Sequence, residues 1–442
     1  MKVTVVGNGY VGSVTATCFA WLGNDVVGLE DSWLRAEQLA AGELPFYEPG
    51  LSELLTETLA TGRLRFTSNP EVALAETDVV FLCVGTPPRK DGLPDLRQLE
   101  QAAETLRSFV RDGLVVVNKS TVPPGSGDMV RSILAGPGSD PTARFSVMSN
   151  PEFLREGSAI EDFLIPDRIV LGGDQMGIER LTELYKPILR QSFPGADAAR
   201  RPSLFTTDLV SAEIAKYAAN AFLATKISFA NEVANLCELT GADVRQVLPA
   251  VGADRRIGPS FLGAGLGWGG SCFPKDIAAL MAVGRDGGYG SPLLSAAVEV
   301  NEARRESVVA RLDRELGGLE GKRIALLGLS FKAGTDDLRE APSLDLARRL
   351  LDRGATVVAW DPVVKQLPPH LEAVRIAPDG YEAADGADAV VLVTEWPEFA
   401  DLDFSVLAGR MSGSLVLDGR NHLNPTPLVE AGLRLVGVGW GR

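Results

Sequence analysis

The sequence predicts an α/β protein with two doubly wound sheets that are joined by one long helix. Over residues 1–200, short apolar runs typical of strands buried on both faces alternate with helical patterns. Residues 206–239 contain no proline, and Ala, Leu and Phe recur there at spacings of three and four, which predicts the long helix. From residue 323, the order of strand, glycine turn, helix and strand appears a second time.

The composition is that of a globular protein with enough apolar residues for several cores. The chain has 442 residues, of which 45% are hydrophobic and 23% charged. At roughly 150 residues per domain, this length predicts two or three domains. No apolar run approaches the roughly 18 residues that span a membrane, and the chain starts directly with a strand pattern, so we expect a cytoplasmic protein. The net charge of −15 argues against nucleic acid or an anionic membrane as the partner.

The first 30 residues carry a dinucleotide-binding pattern. Residues 2–6 predict a buried strand, the run Gly7-Asn8-Gly9-Tyr10-Val11-Gly12 gives G-x-G-x-x-G, and a helix is predicted to about Leu22. The next strand ends at Glu30, 18 residues after Gly12, close to the spacing of about 20 in such sites. The glycines let a pyrophosphate approach the helix N-terminus, and Glu30 can accept both ribose hydroxyls. Because an acid here repels a 2′-phosphate, the sequence favours NAD over NADP.

Further strands extend this pattern over roughly residues 1–200. They are predicted at DVVFLCVGT (78–86), LVVVNKST (114–121), FSVMSNPE (145–152) and RIVLGG (168–173). Their alternation with helical patterns predicts a doubly wound parallel sheet.

Helices and a second, smaller sheet are predicted in the remainder of the chain. The helix at 206–239 is followed by a second long helix at 291–316. Strands are then predicted at RIALLGLSFK (323–332), ATVVAWDP (355–362), ADAVVLVTEW (387–396) and SLVLDGR (414–420). Two domains of nucleotide-binding type joined by helices predict two nucleotide ligands that face one cleft.

Histidine and cysteine are too few and too scattered to predict a metal site or a histidine-based triad. The two histidines, His370 and His422, lie in segments that we interpret as loop or edge. Three cysteines lie in apolar patterns, as small core residues do: Cys18, Cys83 and Cys237. Cys272 instead lies in the glycine-rich segment GAGLGWGGSCFPKD, between two helical patterns, where a thiol can be reached.

Other candidate catalytic residues lie at strand ends or in loops, where open α/β sheets bind their ligands. These are Thr121, Glu152 and Glu156, and Asp276 in the segment SCFPKD that also holds Cys272. If residues 152–156 are helical, the two glutamates share one face. A solvated first helix turn is the alternative interpretation.

Lys216 and Asn220, four residues apart, place a cation and an amide on one helix face. The chain has 10 lysines against 33 arginines, yet Lys216, Lys275 and Lys332 all fall in polar motifs. A compact ammonium there can lie against an oxyanion. The alternatives are that Lys216 pairs with Glu213 on the surface, and that Cys272 is an inert thiol.

Taken together, these motifs resemble those of the nucleotide-sugar 6-dehydrogenases, the UDP-glucose/GDP-mannose dehydrogenase family. The match runs from residue 1 to about 425 and is carried by GNGYVG, FYEPGL, VGTPP, KSTVPPGS, NPEFLREG, KYAANAFLATKISFANE, GGSCFPKD, GLSFK and LDGR. The resemblance implies an NAD-binding Rossmann-like domain at 1–200, a helical dimerisation region with the cysteine loop at 201–316, and a UDP-sugar-binding Rossmann-like domain at 317–442. It implies a homodimer or higher homo-oligomer that oxidises the C6 alcohol of UDP-glucose to a carboxylate with two NAD.

The resemblance also implies individual roles. Cys272 would capture the C6 aldehyde as a thiohemiacetal, which is then oxidised to a thioester. Lys216 and Asn220 would stabilise the oxyanion. The residues that position and activate water would come from a set within which the base stays open: Asp276, Thr121, Glu152 and Glu156.

Binding roles follow from the same resemblance, which implies no metal. The implied cofactor contacts are Gly7, Gly9, Tyr10, Val11, Gly12, Glu30, Thr86, Ser120, Thr121, Glu156, Lys275 and Arg339. The implied substrate contacts are Glu152, Phe153, Leu154, Lys216, Asn220, Phe261, Leu262, Gly265, Gly267, Trp268, Gly269, Lys332 and Arg420, together with Arg256, which would reach across the dimer.

Several alternatives stay open. Gly263 stands where animal relatives carry a longer polar side chain, and Trp268 stands where Phe or Tyr is usual, so GDP-mannose and UDP-N-acetylmannosamine are alternative substrates. SCFPKD, and the Glu-Gly after NPEFLR, favour UDP-glucose. The alternatives of other classes are a two-electron dehydrogenase of the hydroxyacid type and a catalytically silent nucleotide-binding protein.

Overall fold

The computed structural model describes residues 1–89 and 91–441. The strands are β1 (Lys2–Val6), β2 (Asp25–Leu29), β3 (Leu64–Thr67), β4 (Val79–Leu82), β5 (Val115–Asn118), β6 (Ser146–Ser149), β7 (Arg168–Gly172), β8 (Ser203–Thr207), β9 (Arg323–Leu327), β10 (Thr356–Trp360), β11 (Arg375–Ile376), β12 (Ala389–Leu392), β13 (Leu415–Asp418) and β14 (Arg434–Gly437).

Helices connect these strands. They are α1 (Tyr10–Trp21), α2 (Trp33–Ala40), α3 (Leu51–Ala60), α4 (Pro70–Leu74), α5 (Arg97–Arg107), α6 (Ser126–Leu134), α7 (Ala159–Leu164), α8 (Gln175–Leu184), α9 (Lys186–Arg190), α10 (Leu209–Thr240), α11 (Val244–Gly252), α12 (Phe273–Asp286), α13 (Pro292–Leu316), α14 (Pro342–Asp352), α15 (Gly380–Ala383), α16 (Pro397–Ala400), α17 (Phe404–Arg410) and α18 (Pro425–Glu430).

The first sheet has the strand order β3-β2-β1-β4-β5-β6-β7-β8. Its neighbouring strands are parallel from β3 to β6, with Val3 opposite both Val26 and Val79. β7 pairs with β6 in the antiparallel direction, and β8 runs parallel to β7. The predicted parallel arrangement is therefore confirmed from β3 to β6 and is wrong for the predicted strand at 168–173, β7. Apolar periodicity indicates that a strand is buried, but it does not indicate whether the strand is parallel or antiparallel to its neighbour.

Both faces of this sheet are covered. Val79 and Phe81 of β4 belong to one apolar cluster, whereas Val80 and Leu82 belong to another. Successive residues of a strand point to opposite faces, so the strand is apolar throughout because helices pack on both sides.

The second sheet is parallel throughout, with the order β11-β10-β9-β12-β13-β14. Ile324 and Leu326 of β9 face one apolar cluster, and Ala325 and Leu327 face another. The predicted second doubly wound domain is thus present.

The strands that the sequence did not predict are the outermost strands of the two sheets: β3, β8, β11 and β14. An edge strand is covered less completely than a central one, so its residues do not form a continuous apolar run. In β8, for example, Phe205 is 56% exposed.

The chain divides into two compact units. The first unit comprises Met1–Ala219 and Ala278–Val283, and the second comprises Asn220–Ile277 and Gly284–Arg442. The long helix α10 confirms the prediction at 206–239, beginning three residues later than expected. The α/β class with two Rossmann-like sheets and a long central helix is confirmed, whereas the three domain boundaries stay a prediction. Within the described ranges, no helix is both long and apolar enough to cross a bilayer.

Candidate active site

The glycine turn between β1 and α1 has the geometry of an anion-binding turn. Gly7 has a positive φ of 81°. A Cβ on Gly12 would lie 1.9 Å from the carbonyl oxygen of Gly7, so only glycine lets the helix begin this close to the turn. A Cβ on Gly9 would meet nothing within 4 Å, and no side chain caps α1. The first N–H groups of α1, from Tyr10 onward, are therefore available to a phosphate.

Glu30 follows β2, where the sequence placed it, and its carboxylate accepts the N–H of Asn8 in the glycine turn. It is buried, and burial raises the pKa of its carboxyl group, although the Asn8 N–H and the nearby Arg35 oppose the shift. Arg35 lies in the first turn of α2 and was not among the predicted residues. The acid and the turn are thus fixed against each other, as the spacing predicted.

Tyr10 and Val11, the predicted cofactor contacts after Gly9, begin α1. The Tyr10 hydroxyl donates to Glu48, in the motif FYEPGL, and both burial and this bond raise the pKa of the phenol. Glu48 also accepts the N–H groups of Gly157 and Ala159, at 2.6 and 2.7 Å. This motif therefore anchors the segment NPEFLREG, in which Glu156 is half-buried.

The loops after β4 and β5 are hydrogen-bonded to each other. The Thr86 hydroxyl donates to the Thr121 carbonyl oxygen at 2.9 Å, and the Ser120 hydroxyl donates to that of Val84 at 2.7 Å. All three predicted residues are buried. These contacts hold Thr121 at the carboxyl edge of the sheet, where α/β proteins bind ligands.

Glu213 of α10 also holds this loop, a contact that was not predicted from the sequence. Its carboxylate accepts the N–H groups of Gly125 and Gly127 at 2.7 and 2.8 Å, at the start of α6. Burial raises the pKa of Glu213 to about 7, although both donors oppose the shift. The alternative interpretation, in which Glu213 pairs with Lys216, is wrong because its carboxylate is directed to this loop.

Lys216 forms a buried ion pair with Glu152. Its Nζ lies 3.0 Å from Oε1 of Glu152, and both side chains are less than 10% exposed. The other carboxylate oxygen accepts the Leu154 N–H at 2.6 Å. Burial would raise the pKa of Glu152, but Lys216, the Leu154 N–H and the charge of Lys119 together lower it.

Residues 152–156 are not helical, so the prediction that Glu152 and Glu156 share a helix face is wrong, as is the solvated-helix alternative. The segment is an irregular loop, in which Lys216 and the Leu154 N–H hold Glu152. Phe153 lies beside the same pair, with the Arg168 guanidinium 3.8 Å and the Lys216 ammonium 5.4 Å from its ring centre.

In the second unit, Cys272 stands immediately before α12 and its carbonyl oxygen accepts the Asp276 N–H at 3.0 Å. Its thiol is partly exposed and lies 3.5 Å from the Ser271 hydroxyl. Because the N-terminus of a helix favours negative charge, this position suits a thiolate. The other cysteines are buried, as expected, and burial raises the pKa of the Cys83 thiol to about 12.

Asp276 lies one turn into α12 and is 1% exposed. The Asn220 amide donates to one of its oxygens, and the Lys275 ammonium donates to the other, both at 2.6 Å. The sequence motif KYAANAF and the sequence motif SCFPKD therefore meet in one buried cluster. Three of the predicted site residues are in direct contact here.

The predicted substrate loop, residues 261–269, is tied down by polar side chains from helices of the same unit. Asn231 of α10 accepts the Gly265 N–H at 2.8 Å, and Asn301 of α13 accepts the Trp268 N–H at 2.8 Å. A Cβ on Gly267 would lie 2.3 Å from the Asn301 amide oxygen, and one on Gly269 would lie 2.0 Å from a backbone oxygen. Neither asparagine was predicted, since nothing local links them to the loop.

The aromatic and apolar side chains of this loop pack against neighbouring elements of the same unit. The Trp268 indole N–H donates to Ser228 at 2.9 Å, and its ring packs edge-on against Phe273. Phe261 packs against Phe273 as well, and Leu262 is buried in the apolar cluster around α11. Gly263, in contrast, is exposed, with open space where a side chain would stand.

In the second sheet, as in the first, a carboxylate after the second strand accepts backbone N–H groups of the turn after the first strand. Asp361, after β10, accepts the N–H groups of Leu329 and Ser330 at 2.8 and 3.1 Å. Close by, Arg420 donates to the carbonyl oxygens of Val393, Gly267 and Phe331, and Lys332 lies over the Phe331 ring. The turn, the loop and these two cations therefore share one edge of the sheet.

Two further predicted residues are arginines that pair with neighbouring aspartates. Arg339 and Arg256 each bind the aspartate two positions before them, Asp337 and Asp254, at 2.6 Å, and both arginines are mainly exposed. Their assigned contacts, with NAD and across a dimer, stay predictions.

Family models describe almost the whole chain. The UDP-glucose/GDP-mannose dehydrogenase models match residues 1–189 (NAD binding domain), 210–303 (central domain) and 325–425 (UDP binding domain). A UDP-glucose 6-dehydrogenase from Pseudomonas aeruginosa is 45% identical, over 99% of this chain and 97% of that protein.

Solved structures give the same result. A UDP-glucose dehydrogenase from Pyrobaculum islandicum matches with a TM-score of 0.89 and 41% identity, covering 100% of this chain and 98% of that one. A UDP-D-ManNAc dehydrogenase from Pyrococcus horikoshii matches with a TM-score of 0.86 and 27% identity, covering 100% of both chains.

Proposed function

The chain belongs to the UDP-glucose/GDP-mannose dehydrogenase family and is an NAD-dependent nucleotide-sugar 6-dehydrogenase, and we propose that it oxidises UDP-glucose to UDP-glucuronate. The choice of sugar is supported by the names of its relatives at 40–45% identity, all of them UDP-glucose 6-dehydrogenases. The oxidation removes four electrons in two steps.

The single observation that carries the chemistry is the position of Cys272 before α12, one helical turn from a buried aspartate that Asn220 and Lys275 hold. A two-electron alcohol dehydrogenase needs no nucleophile. A thiol at a helix N-terminus beside fixed polar groups is typical of enzymes that use covalent catalysis. The position of Cys272 therefore favours this proposal over an oxidation that stops at the aldehyde and over a catalytically silent binding protein.

The C6 alcohol first loses a hydride and its hydroxyl proton, which gives the C6 aldehyde. The Cys272 sulfur adds to the C6 aldehyde, and the thiol proton ends on the new hydroxyl group, which gives a thiohemiacetal. Loss of a hydride and the hydroxyl proton converts it to a thioester. Water then attacks the thioester carbon, the C–S bond breaks, and the products are a carboxylate and the free thiol. Bound NAD supplies the hydride acceptor for both oxidations.

We assign the remaining steps to polar and charged side chains that hydrogen bonds and ion pairs hold in place. Asn220 and Lys216 stabilise the oxyanion that forms at C6. Asp276, or Glu152, takes the proton of the attacking water. Each of these acids is buried, and each is fixed by a lysine, Lys275 for Asp276 and Lys216 for Glu152, so neither needs to be reoriented before it reacts.

The first unit fits NAD. The uncapped N-terminus of α1 is available to the pyrophosphate, and the open space above Gly9 leaves room for it. Glu30, at the end of β2, would hold the ribose hydroxyls and repel a 2′-phosphate. In the second unit, Lys332, Arg420 and the loop 261–269 would hold the UDP-sugar, because a chain of net charge −15 needs local cations for a diphosphate.

We further propose that α10 mediates a homodimer. Phe222, Phe229 and Leu236 lie seven residues apart on this helix and are 65%, 52% and 54% exposed. A heptad spacing of apolar residues is the pattern by which two helices pack together. A second copy of the chain would bury this stripe.

The test is the amount of NADH formed from a limiting amount of UDP-glucose. Two NADH per UDP-glucose are expected, and one NADH would contradict the thioester route. GDP-mannose and UDP-N-acetylmannosamine, at matched concentrations, serve as comparisons. Turnover of either of them without turnover of UDP-glucose would move the specificity to the loop 261–269 and leave the chemistry intact.

A further inference from the structure

A third buried charge lies near the Glu152–Lys216 pair and is not used in the scheme above. Lys119 is the first residue after β5, and its side chain is 5% exposed. Its Nζ donates to the Asn150 amide oxygen at 3.1 Å and to the Tyr185 hydroxyl at 3.2 Å. Among the residues that the structure describes, no carboxylate forms an ion pair with it. Burying an ammonium group among neutral partners costs free energy of folding. We therefore expect Lys119 to have a function that offsets this cost.

The partners of Lys119 form a closed network. The Tyr185 hydroxyl donates to the same Asn150 oxygen at 2.6 Å, and the Asn150 amide donates to the Val170 carbonyl oxygen of β7 at 2.9 Å. Asn150 is thereby locked, with its acceptor directed to the ammonium. It stands two residues before Glu152, at the start of the loop that carries this carboxylate.

We propose that Lys119 is a positioning residue, which supplies a third charge to the Glu152–Lys216 pair and, through Asn150, fixes the segment that carries Glu152. The inference rests on the proposed function, in which Glu152 is one of the two acids that can take the proton of the attacking water. Two ammonium groups against one carboxylate leave one net positive charge in this buried region. This excess charge keeps Glu152 ionised, and thus able to accept a proton.

The titration of the neighbouring groups is consistent with this role. The groups that interact with Lys119 are Cys83 at the end of β4, Glu152 and Lys216. Burial lowers the pKa of Lys119 to about 8, although Cys83 and Glu152 favour its charged form. Because the Cys83 thiol is itself neutral at this pH, Glu152 is the anion on which the charge of Lys119 acts.

The experiment measures the titration of Glu152 directly and needs no substrate. Infrared difference spectra between each protein and its Glu152→Gln derivative isolate the carboxyl band of Glu152 as a function of pH. In Lys119→Met, which keeps the length of the side chain and removes its charge, the midpoint is expected to rise by about one pH unit, a tenfold change in ionisation. The matched control Tyr185→Phe removes the two hydrogen bonds of the hydroxyl group, to Lys119 and Asn150, and keeps the charge, so its midpoint should stay at the wild-type value.

A second variant covers the case in which Lys119→Met does not fold. Asn150→Asp places a carboxylate beside the ammonium, neutralises its charge and is expected to raise the midpoint as well. Equal midpoints in wild type, Lys119→Met and Asn150→Asp would overturn the proposal and leave Lys119 with a packing role only. Failure of the wild type to oxidise any nucleotide sugar would instead overturn the proposed function, and the titration separates these two results.

Discussion

At the scale of single residues, burial decides what each ionisable group of the candidate site can do. Glu152 stays ionised because Lys216 and Lys119 favour its charged form. The Cys83 thiol stays protonated because Lys119 and Thr15 offset only part of the effect of burial. Cys272 differs from the other thiols in being partly exposed at the start of a helix. Because all the cysteines carry the same thiol group, their different reactivities depend on burial and on position in the fold.

The replacement Cys272→Ser is expected to reduce net turnover by roughly three orders of magnitude or more, because a neutral hydroxyl group is a far weaker nucleophile than a thiolate. The affinity for NAD, measured by fluorescence titration, should be unchanged, since the thiol has no part in holding the glycine turn. Cys237→Ala, a buried thiol of α10, is the matched control and should keep its activity. An unchanged steady-state rate in Cys272→Ser would exclude the covalent route.

At the scale of elements, the long helix α10 combines three tasks along its length. Glu213 holds the loop at the start of α6, Lys216 pairs with Glu152, and Asn220 holds Asp276. Farther along, the helix carries the exposed apolar stripe of Phe222, Phe229 and Leu236. A 32-residue helix can do this because side chains that are three, four or seven positions apart lie on one face.

Replacing Phe229 by Asp should weaken self-association by roughly 100-fold, since a charge would have to be buried in an apolar interface. Sedimentation equilibrium over a range of concentrations measures the constant. Val429→Asp replaces another exposed apolar residue, on α18, and is the control that should leave the association state unchanged. A monomeric wild-type chain, or an unaffected Phe229→Asp dimer, would show that α10 is not the contact.

At the scale of the whole molecule, the two sheets share one structural feature, a hydrogen bond between an acid and a backbone turn, but we expect them to bind different ligands. In each sheet an acid after the second strand accepts backbone N–H groups of the turn after the first, Glu30 in one and Asp361 in the other. The first turn has the full glycine pattern, whereas cations surround the second. We therefore expect the first unit to bind the dinucleotide and the second to bind the nucleotide sugar.

Each nucleotide should raise the melting temperature on its own. A ligand at about 100 times its dissociation constant stabilises the folded state by ~2.7 kcal/mol. In Glu30→Ala the shift caused by NAD should shrink and the preference over NADP should fall, while the shift caused by UDP stays. Lys332→Met should show the reverse. Loss of both shifts in either variant would show that the two ligands do not bind independently.

Local patterns in the sequence by themselves determined the fold class and the cofactor, and the resemblance of its motifs to those of a known family gave the reaction class. Apolar runs marked the central strands, the glycine spacing and Glu30 predicted the dinucleotide turn, and the motif around Cys272 placed the thiol before a helix. These features are read from residues close together along the chain.

Only the tertiary structure decided which side chains meet, and which way the last strands of the first sheet run. Glu152 pairs with Lys216, Glu213 holds the Gly125–Gly127 turn, and Lys119 is buried on Asn150 and Tyr185, all across long stretches of sequence. The edge strands and the antiparallel direction of β7 were not predicted from the sequence for a related reason. A contact between distant residues depends on where the chain returns, and neither spacing nor periodicity contains that information.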